Sequence, residues 1–378
     1  MKRTSRAVTK KKKPRAATRR SRKKEASTMQ TIEETVDDGG GVTTMDENEE
    51  EPKQQDKQDS KTKKCRGAQP DDDQKALMNA FVERLGMVGV AGLQKEYAEL
   101  KATKIPPPNG AATVFEANRP KNRYQDVPCF DRTRVTLSYN VPPDADYIHA
   151  NWVQEMGSPI KMICTQGPVT DTINDFYRML WQEKVNSLIM LCRVEENGKT
   201  KCAQYWPMNE GDSRQYGILT VKNLKNDPKL DKAFDYTLLE VSDGKEAPLA
   251  VNMYLWRDWP DKHVPSGGLG ILRLLRHCRK TKDSTAVIHC SAGIGRTGTV
   301  VALEIAMSKL EAKQLVNMYD IVKELRSRRA MAVQTEVQYV FLHRVMCEYL
   351  NAKGLRGSVV SKFNSDYLTY LKSIAIPT

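Results

Sequence analysis

Cys290 and Arg296, six positions apart, lie in the segment of this chain whose residue types and spacing best fit a reaction centre. The segment reads His289-Cys290-Ser291-Ala292-Gly293-Ile294-Gly295-Arg296-Thr297-Gly298. It joins an apolar, strand-like run, Ala286-Val287-Ile288, to a helical pattern starting near Thr297. A strand, a glycine-bearing loop and a helix N-terminus together form an anion cradle. Successive backbone N–H groups point inward and the helix dipole adds positive potential. Gly293, Gly295 and Gly298 permit the tight path and the close approach of an oxyanion. A cysteine at the head of such a cradle is biased toward its thiolate, the nucleophilic form. Arg296 can grip two phosphoryl oxygens at once, a geometry lysine does not reproduce. Electrostatic stabilisation of three equatorial oxygens is what phosphoryl transfer most needs, and it calls for no metal and no other cofactor. The loop lacks the Gly-Lys-Ser/Thr ending of a nucleotide-binding loop, which disfavours a nucleotide ligand.

This segment resembles the Cys-x5-Arg signature loop of the classical, phosphotyrosine-specific, non-receptor-like protein-tyrosine phosphatases, matching every usual position, and the resemblance extends over about residues 75–350. It implies a signal-transduction hydrolase that removes phosphate from protein tyrosines through a phosphocysteine intermediate on Cys290. Ser291, Ala292, Gly293, Ile294, Gly295 and Arg296 would hold the phosphoryl group, and Thr297 would stabilise the departing thiolate. Lys121-Asn122-Arg123-Tyr124-Gln125-Asp126 resembles the phosphotyrosine-recognition loop. By that resemblance Tyr124 lines one wall of a deep slot and stacks on the substrate ring. Asp126 anchors the peptide main chain, and the depth of the slot leaves phosphoserine too short to reach Cys290.

Other segments fit the same family. Trp259-Pro260-Asp261 resembles the mobile loop with the general acid. Asp261 would protonate the leaving phenolate, then take a proton from the attacking water. Glu195-Glu196-Asn197-Gly198-Lys199-Thr200-Lys201-Cys202 resembles the loop that supports the site, with Glu196 pairing Arg296; His289 is the second supporting residue. Gln334-Thr335-Glu336-Val337-Gln338-Tyr339 resembles the segment that positions the hydrolytic water, led by Gln334 and helped by Gln338. Asp146-Tyr147-Ile148-His149-Ala150-Asn151 and Thr165-Gln166-Gly167-Pro168 match segments of structural character.

Three positions depart from the family. Lys262-His263 replaces an aromatic or histidine followed by glycine, which predicts altered loop closure. Met331 stands where residue size at the slot entrance varies, and Asn151 replaces a common serine without an evident functional meaning. Competing readings are a catalytically impaired phosphotyrosine-binding module, a dual-specificity or lipid phosphatase, and a scaffold whose tail matters more than its activity. The first predicts loss of Cys290, Arg296 or Asp261, and all three are present. The Tyr124 segment argues against the second.

The elements that must position these residues are legible as one α/β domain over roughly 73–352, a twisted mixed sheet flanked by helices. Helical spacing predicts helices through Leu77, Phe81, Leu85 and Val88, then Leu93, Tyr97 and Leu100, and again over about 172–184, 267–280, 298–310, 316–329 and 335–350. Short apolar runs without alternation, such as 187–191 and 286–288, predict strands covered on both faces. Residues 1–72 read as a tail and 353–378 as an extension with too little pattern to assign. Thirteen of the 60 lysines and arginines fall in residues 1–24, which hold no acid, so the rest of the chain balances at 47 bases and 47 acids and the net charge of +13 belongs to the tail. Such a block is expected to be disordered, as is the acidic stretch over about 30–60 that follows it. It fits a solubilising arm, contact with import receptors, or adhesion to polyanions. No apolar run follows the charges as in a secretory signal, and no stretch of 18 apolar residues suggests a membrane span. Eight cysteines without a paired spacing fit reduced thiols in a cytoplasmic or nuclear compartment.

Overall fold

The computed structural model describes residues 69–281 and 284–374. The basic segment 1–24 and the acidic stretch 30–60 lie outside the described residues. The elements in chain order are α1 (Asp72–Ala102), α2 (Thr113–Ala117), β1 (Arg134–Thr136), β2 (Tyr147–Val153), β3 (Lys161–Thr165), α3 (Ile173–Gln182), β4 (Ser187–Met190), β5 (Glu195–Glu196), β6 (Lys199–Thr200), β7 (Ser213–Tyr216), β8 (Leu219–Asp227), β9 (Phe234–Ser242), β10 (Leu249–Trp256), α4 (Leu269–Cys278), β11 (Thr285–His289), α5 (Gly295–Glu311), α6 (Met318–Arg328), α7 (Glu336–Ala352) and α8 (Ser358–Ile374). The helices expected from spacing are α1 and α3–α7, with ends displaced by a few residues.

One mixed sheet runs β1-β2-β3-β11-β4-β10-β9-β8-β7, and β5 and β6 form a separate small hairpin. Strands β3, β11, β4 and β10 run parallel to one another, while β2 beside β3 and β9 beside β10 are antiparallel. The parallel centre is what apolar runs without alternation predict: every residue of β4 and β11 is buried. That rule fails at the flank. In β8, Leu219 and Val221 are buried whereas Thr220 and Lys222 are exposed, because there only one face is covered.

Strand β11 occupies the middle of the sheet, with Val287 paired to Ile163 on one side and Leu188 on the other. Its C-terminal end delivers Cys290 to the rim, and α5 leaves at once from Gly295. Nearly all of α5 is buried, so the helix that aims its N-terminus at the site is fixed by packing all along its length.

Helix α1 starts with a capping box in which Asp71 accepts from the Gln74 N–H at 3.0 Å. Among the described residues it is the one helix long and apolar enough to cross a membrane by length and composition, although Asn79, Glu83 and Arg84 interrupt its apolar residues. Its apolar side is spent within the fold, where Phe81, Leu85, Leu93, Tyr97 and Leu100 are buried. The helix also breaks at Gly89 (φ 57°), and Arg84 pairs with Glu96 across the break. Residues 353–378, unassigned by pattern, contain α8, whose Val360, Phe363, Tyr367 and Tyr370 are buried and which packs on α1 and α7.

Candidate active site

Cys290 sits at the floor of a cleft of about 330 Å³. It is only 5% exposed, so its sulfur is recessed below the surface. Gly293 N–H donates to Cys290 Sγ at 3.3 Å. The loop needs glycine at 293 for two reasons. Its φ is +70°, and a Cβ there would stand 1.9 Å from the Thr165 carbonyl oxygen. At Gly295 a Cβ would come within 3.1 Å of the Gln334 and Gln338 amides, so this glycine lets the two glutamines close on the cradle. Ser291, Ala292, Gly295 and Arg296 line the cleft; Gly293 and Ile294 lie behind its surface, and Ile294 is fully buried.

Arg296 is 3% exposed and tied on all sides. Its Nη1 donates to Glu196 Oε1 at 2.6 Å and to the Leu191 carbonyl at 2.9 Å, and its Nη2 donates to Glu196 Oε2 at 2.7 Å. Glu196 belongs to the β5–β6 hairpin and also accepts from Arg193 N–H at 3.1 Å. Asp261 Oδ1 stands 3.2 Å from Arg296 Nη2, and Asp261 Oδ2 pairs with Lys201 Nζ at 2.6 Å. The acid-bearing loop is therefore folded over the cleft. Burial pushes the Asp261 carboxyl up, but the Lys201 hydrogen bond and the charges of Arg296 and Lys262 outweigh it and hold the group below its ordinary value.

The left-handed residue of that loop is Lys262 (φ 58°), not His263. This corrects the expectation that a glycine is missed at 263: in this conformation the backbone asks for one at 262. Trp259 anchors the loop, its indole N–H donating to the His263 carbonyl at 2.9 Å while its ring packs on Trp256.

On the opposite wall, Tyr124 donates its hydroxyl to Ser291 Oγ at 2.9 Å, since Ser291 itself donates to the Lys201 carbonyl at 2.8 Å. The loop behind Tyr124 is pinned by Arg123, whose side chain donates to the carbonyls of Gly167 and Pro168 at 2.8 and 2.7 Å. Asp126 lies on the rim of the same cleft. Gln334 and Gln338 form the third side. Gln338 accepts from the N–H groups of Gln334 (3.1 Å) and Thr335 (3.3 Å), so it also serves as the cap of α7. Met331, exposed and at φ 59°, stands at the mouth. Thr297 Oγ1 is buried without a hydrogen-bond partner. His289 is fully buried below the cradle, with Nε2 2.8 Å from Tyr205 Oη and Nδ1 3.1 Å from the Cys290 carbonyl oxygen; burial pushes it down to about 4.

Two residues at the site carried no recognised signal in the sequence. Lys201, quoted only as part of a segment, holds Asp261. Arg329, fully buried, donates from Nε to the Gly293 carbonyl at 3.0 Å and from Nη2 to the Ala292 carbonyl at 2.8 Å. Asn151 now has a role: its Oδ1 accepts from Arg329 Nη1 at 2.8 Å, which holds the arginine under the loop. Cys129, Cys164 and Cys202 do not line the cleft. Burial pushes Cys129 up to about 11 and Cys164 and Cys202 up to about 12, so they remain protonated.

The geometry has parallels among known proteins. The sequence profile of the family described as protein-tyrosine phosphatase matches residues 118–348. The chain is 33% identical over 282 residues to tyrosine-protein phosphatase non-receptor type 9 of Rattus norvegicus, covering 70% of this chain and 47% of that protein. It is 36% identical over 268 residues to receptor-type tyrosine-protein phosphatase eta of Homo sapiens, covering 69% of this chain and 20% of that one. It therefore spans less than half the length of these curated relatives. The crystal structure of the catalytic domain of human protein tyrosine phosphatase non-receptor type 18 superposes with a TM-score of 0.65 at 30% identity, covering 72% of this chain and 99% of that one.

Proposed function

The chain belongs to the protein-tyrosine phosphatase family, and from that premise we propose that it hydrolyses phosphotyrosine in proteins through a phosphocysteine intermediate on Cys290. One observation carries the reading. A single cleft brings together the Cys290 sulfur, the Arg296 fork and the Asp261 carboxyl, with Asp261 Oδ1 3.2 Å from Arg296 Nη2.

In the first step the Cys290 thiolate attacks phosphorus, the S–P bond forms and the P–O bond to the tyrosine breaks. Asp261 gives its proton to the departing phenolate. The N–H groups of residues 291–296 and the Arg296 fork, oriented by Glu196, carry the charge on the equatorial oxygens. In the second step a water placed by Gln334, with Gln338 helping, attacks phosphorus. Its proton goes to Asp261, and Cys290 leaves as thiolate with the free Thr297 hydroxyl as its donor. Tyr124 forms the wall on which the substrate ring stacks, and Asp126 takes the peptide N–H groups at the rim. His289 supports the floor through its bond to the Cys290 carbonyl. The seven described cysteines, all unpaired, support an intracellular, reducing setting. The segment 1–24 is proposed to meet import receptors or polyanions.

The test is phosphate release by the full chain from a phosphotyrosine peptide with a chelator present, beside Cys290→Ser and a matched phosphothreonine peptide. Turnover that is lost in Cys290→Ser and absent on phosphothreonine supports the reading. Tight phosphopeptide binding without turnover replaces it with a recognition module.

A further inference from the structure

The loop that carries Gln334 adopts a backbone its side chains oppose. Met331 and Val333 both have φ 59°, and for a β-branched residue this is an outlier. Such residues persist only where their surroundings over-determine them. Here three successive carbonyls are each held by a buried donor. Arg326 Nε donates to Ala332 O and Arg326 Nη2 to Val333 O, both at 2.9 Å, and the Tyr97 hydroxyl donates to Gln334 O. The remaining arm of Arg326, Nη1, donates to Leu100 O in α1, and its guanidinium lies 5.4 Å from the Tyr97 ring centre. Two residues further on, Glu336 Oε1 accepts from Gln94 Nε2 of α1 at 2.8 Å and from Tyr370 Oη of α8 at 2.9 Å.

The glutamine loop is thus clamped by helices α1 and α8, both outside residues 118–348 that the family profile matches. We propose that Tyr97, with Arg326 and the Gln94–Glu336–Tyr370 bridge behind it, is a positioning residue for Gln334, so that the two outlying helices set the rate of the hydrolytic second step. The inference rests on the proposed function. Formation of phosphocysteine uses Cys290, Arg296 and Asp261 and leaves Gln334 aside. Hydrolysis needs a water held in line with the S–P bond as that bond breaks, its proton passing to the Asp261 carboxylate. Releasing the Gln334 carbonyl frees the backbone that aims its amide, and only the second step should slow.

Rapid-mixing kinetics with para-nitrophenyl phosphate, on the full chain, separates the steps. Tyr97→Phe keeps the ring over Arg326 and removes only the hydroxyl. The expected result is a nitrophenol burst of unchanged rate, stoichiometric with enzyme, followed by a steady state at least tenfold slower than in the parent. Added alcohol should capture more of the phosphoryl group, raising the ratio of nitrophenol to free phosphate. Tyr370→Phe, remote from the cleft, should give the same split at smaller amplitude with an unchanged unfolding midpoint. Equal loss of burst and steady-state rates, or a burst reduced in stoichiometry, would mean a general structural role and overturn the inference. So would two unchanged phases in both variants. A parent chain that releases no nitrophenol overturns this inference together with the reading beneath it, whereas parent turnover without the split overturns this inference alone.

Discussion

Arg296 and Glu196 are joined by two parallel hydrogen bonds of 2.6 and 2.7 Å, so the plane of the guanidinium is set by a carboxylate from a separate hairpin. Bidentate pairing fixes orientation as well as charge. The remaining N–H groups then face the cleft in one attitude, which is what a trigonal phosphoryl group requires.

Glu196→Gln keeps one acceptor and loses the symmetric fork. A misplacement of the order of 1 Å costs about a hundredfold in rate. We expect kcat to fall by about that factor while the KM for an aryl phosphate changes little. Steady-state kinetics on the purified variant checks this, and an unchanged kcat would show that the Leu191 carbonyl alone orients Arg296.

Lys201 Nζ, 2.6 Å from Asp261 Oδ2, helps hold that carboxyl below its ordinary value. Burial raises the carboxyl and the lysine lowers it, so Lys201→Ala leaves burial less opposed and moves Asp261 up. The acid form then survives to higher pH. For a phosphotyrosine peptide, kcat/KM should fall on the alkaline side as Asp261 loses its proton, and that fall should shift to higher pH in Lys201→Ala and vanish in Asp261→Asn. A profile that Lys201→Ala leaves in place removes Lys201 from the proton balance.

Much of this site was legible because its parts are short and local. The cradle 289–298 is a strand end, a loop and a helix start in one run of sequence, and β11 and α5 follow from its apolar flanks. What pattern did not disclose are contacts between distant segments. Arg329 looks like a surface charge beside Arg328, yet it lies fully buried under Gly293, 36 residues away. Asn151, a substitution without apparent meaning in sequence, is its acceptor 178 residues away. Backbone conformation was equally hidden: the loop after Asp261 differs from the family at two positions, and only φ shows that Lys262 carries the strain. Helix α8 was missed because its spacing of buried residues has meaning only opposite α1.

Lys262 holds a left-handed conformation that costs a residue with a Cβ about 1–2 kcal/mol. Lys262→Gly should relieve the folded-over form of the loop and raise Asp261-dependent turnover several-fold, while His263→Gly should do less. Paired kcat values for the two variants decide it, and the reverse order would place the constraint at 263.

Met331 combines the same backbone strain with a long side chain at the cleft mouth. Met331→Gly should raise kcat/KM for bulky aryl phosphates more than for para-nitrophenyl phosphate and lift stability by up to about 1 kcal/mol. Equal gains on both substrates would show that the side chain does not limit entry.

Three histidines report on acid stability. His149, His289 and His343 are fully buried, and burial, joined at His149 by the Arg329 charge, pushes them down to about 3, 4 and 3. His149 must stay neutral, since its Nδ1 accepts from Arg329 at 3.2 Å while its Nε2 donates to the Val127 carbonyl at 2.9 Å. Below the ordinary value of about 6.5 the unfolded chain takes up protons that the folded chain refuses, so stability falls as pH falls from there toward 4. Each histidine contributes a slope of at most about 1.4 kcal/mol per pH unit. Urea midpoints should therefore be level above pH 7 and decline between pH 6.5 and 5, before most carboxylates titrate. A His343→Gln variant should show the shallower decline, because that ring has an unpartnered Nε2 and no bond to the cradle. Level midpoints down to pH 5 would mean that these rings protonate in place, and the cradle above His149 would then have to tolerate a cation facing Arg329.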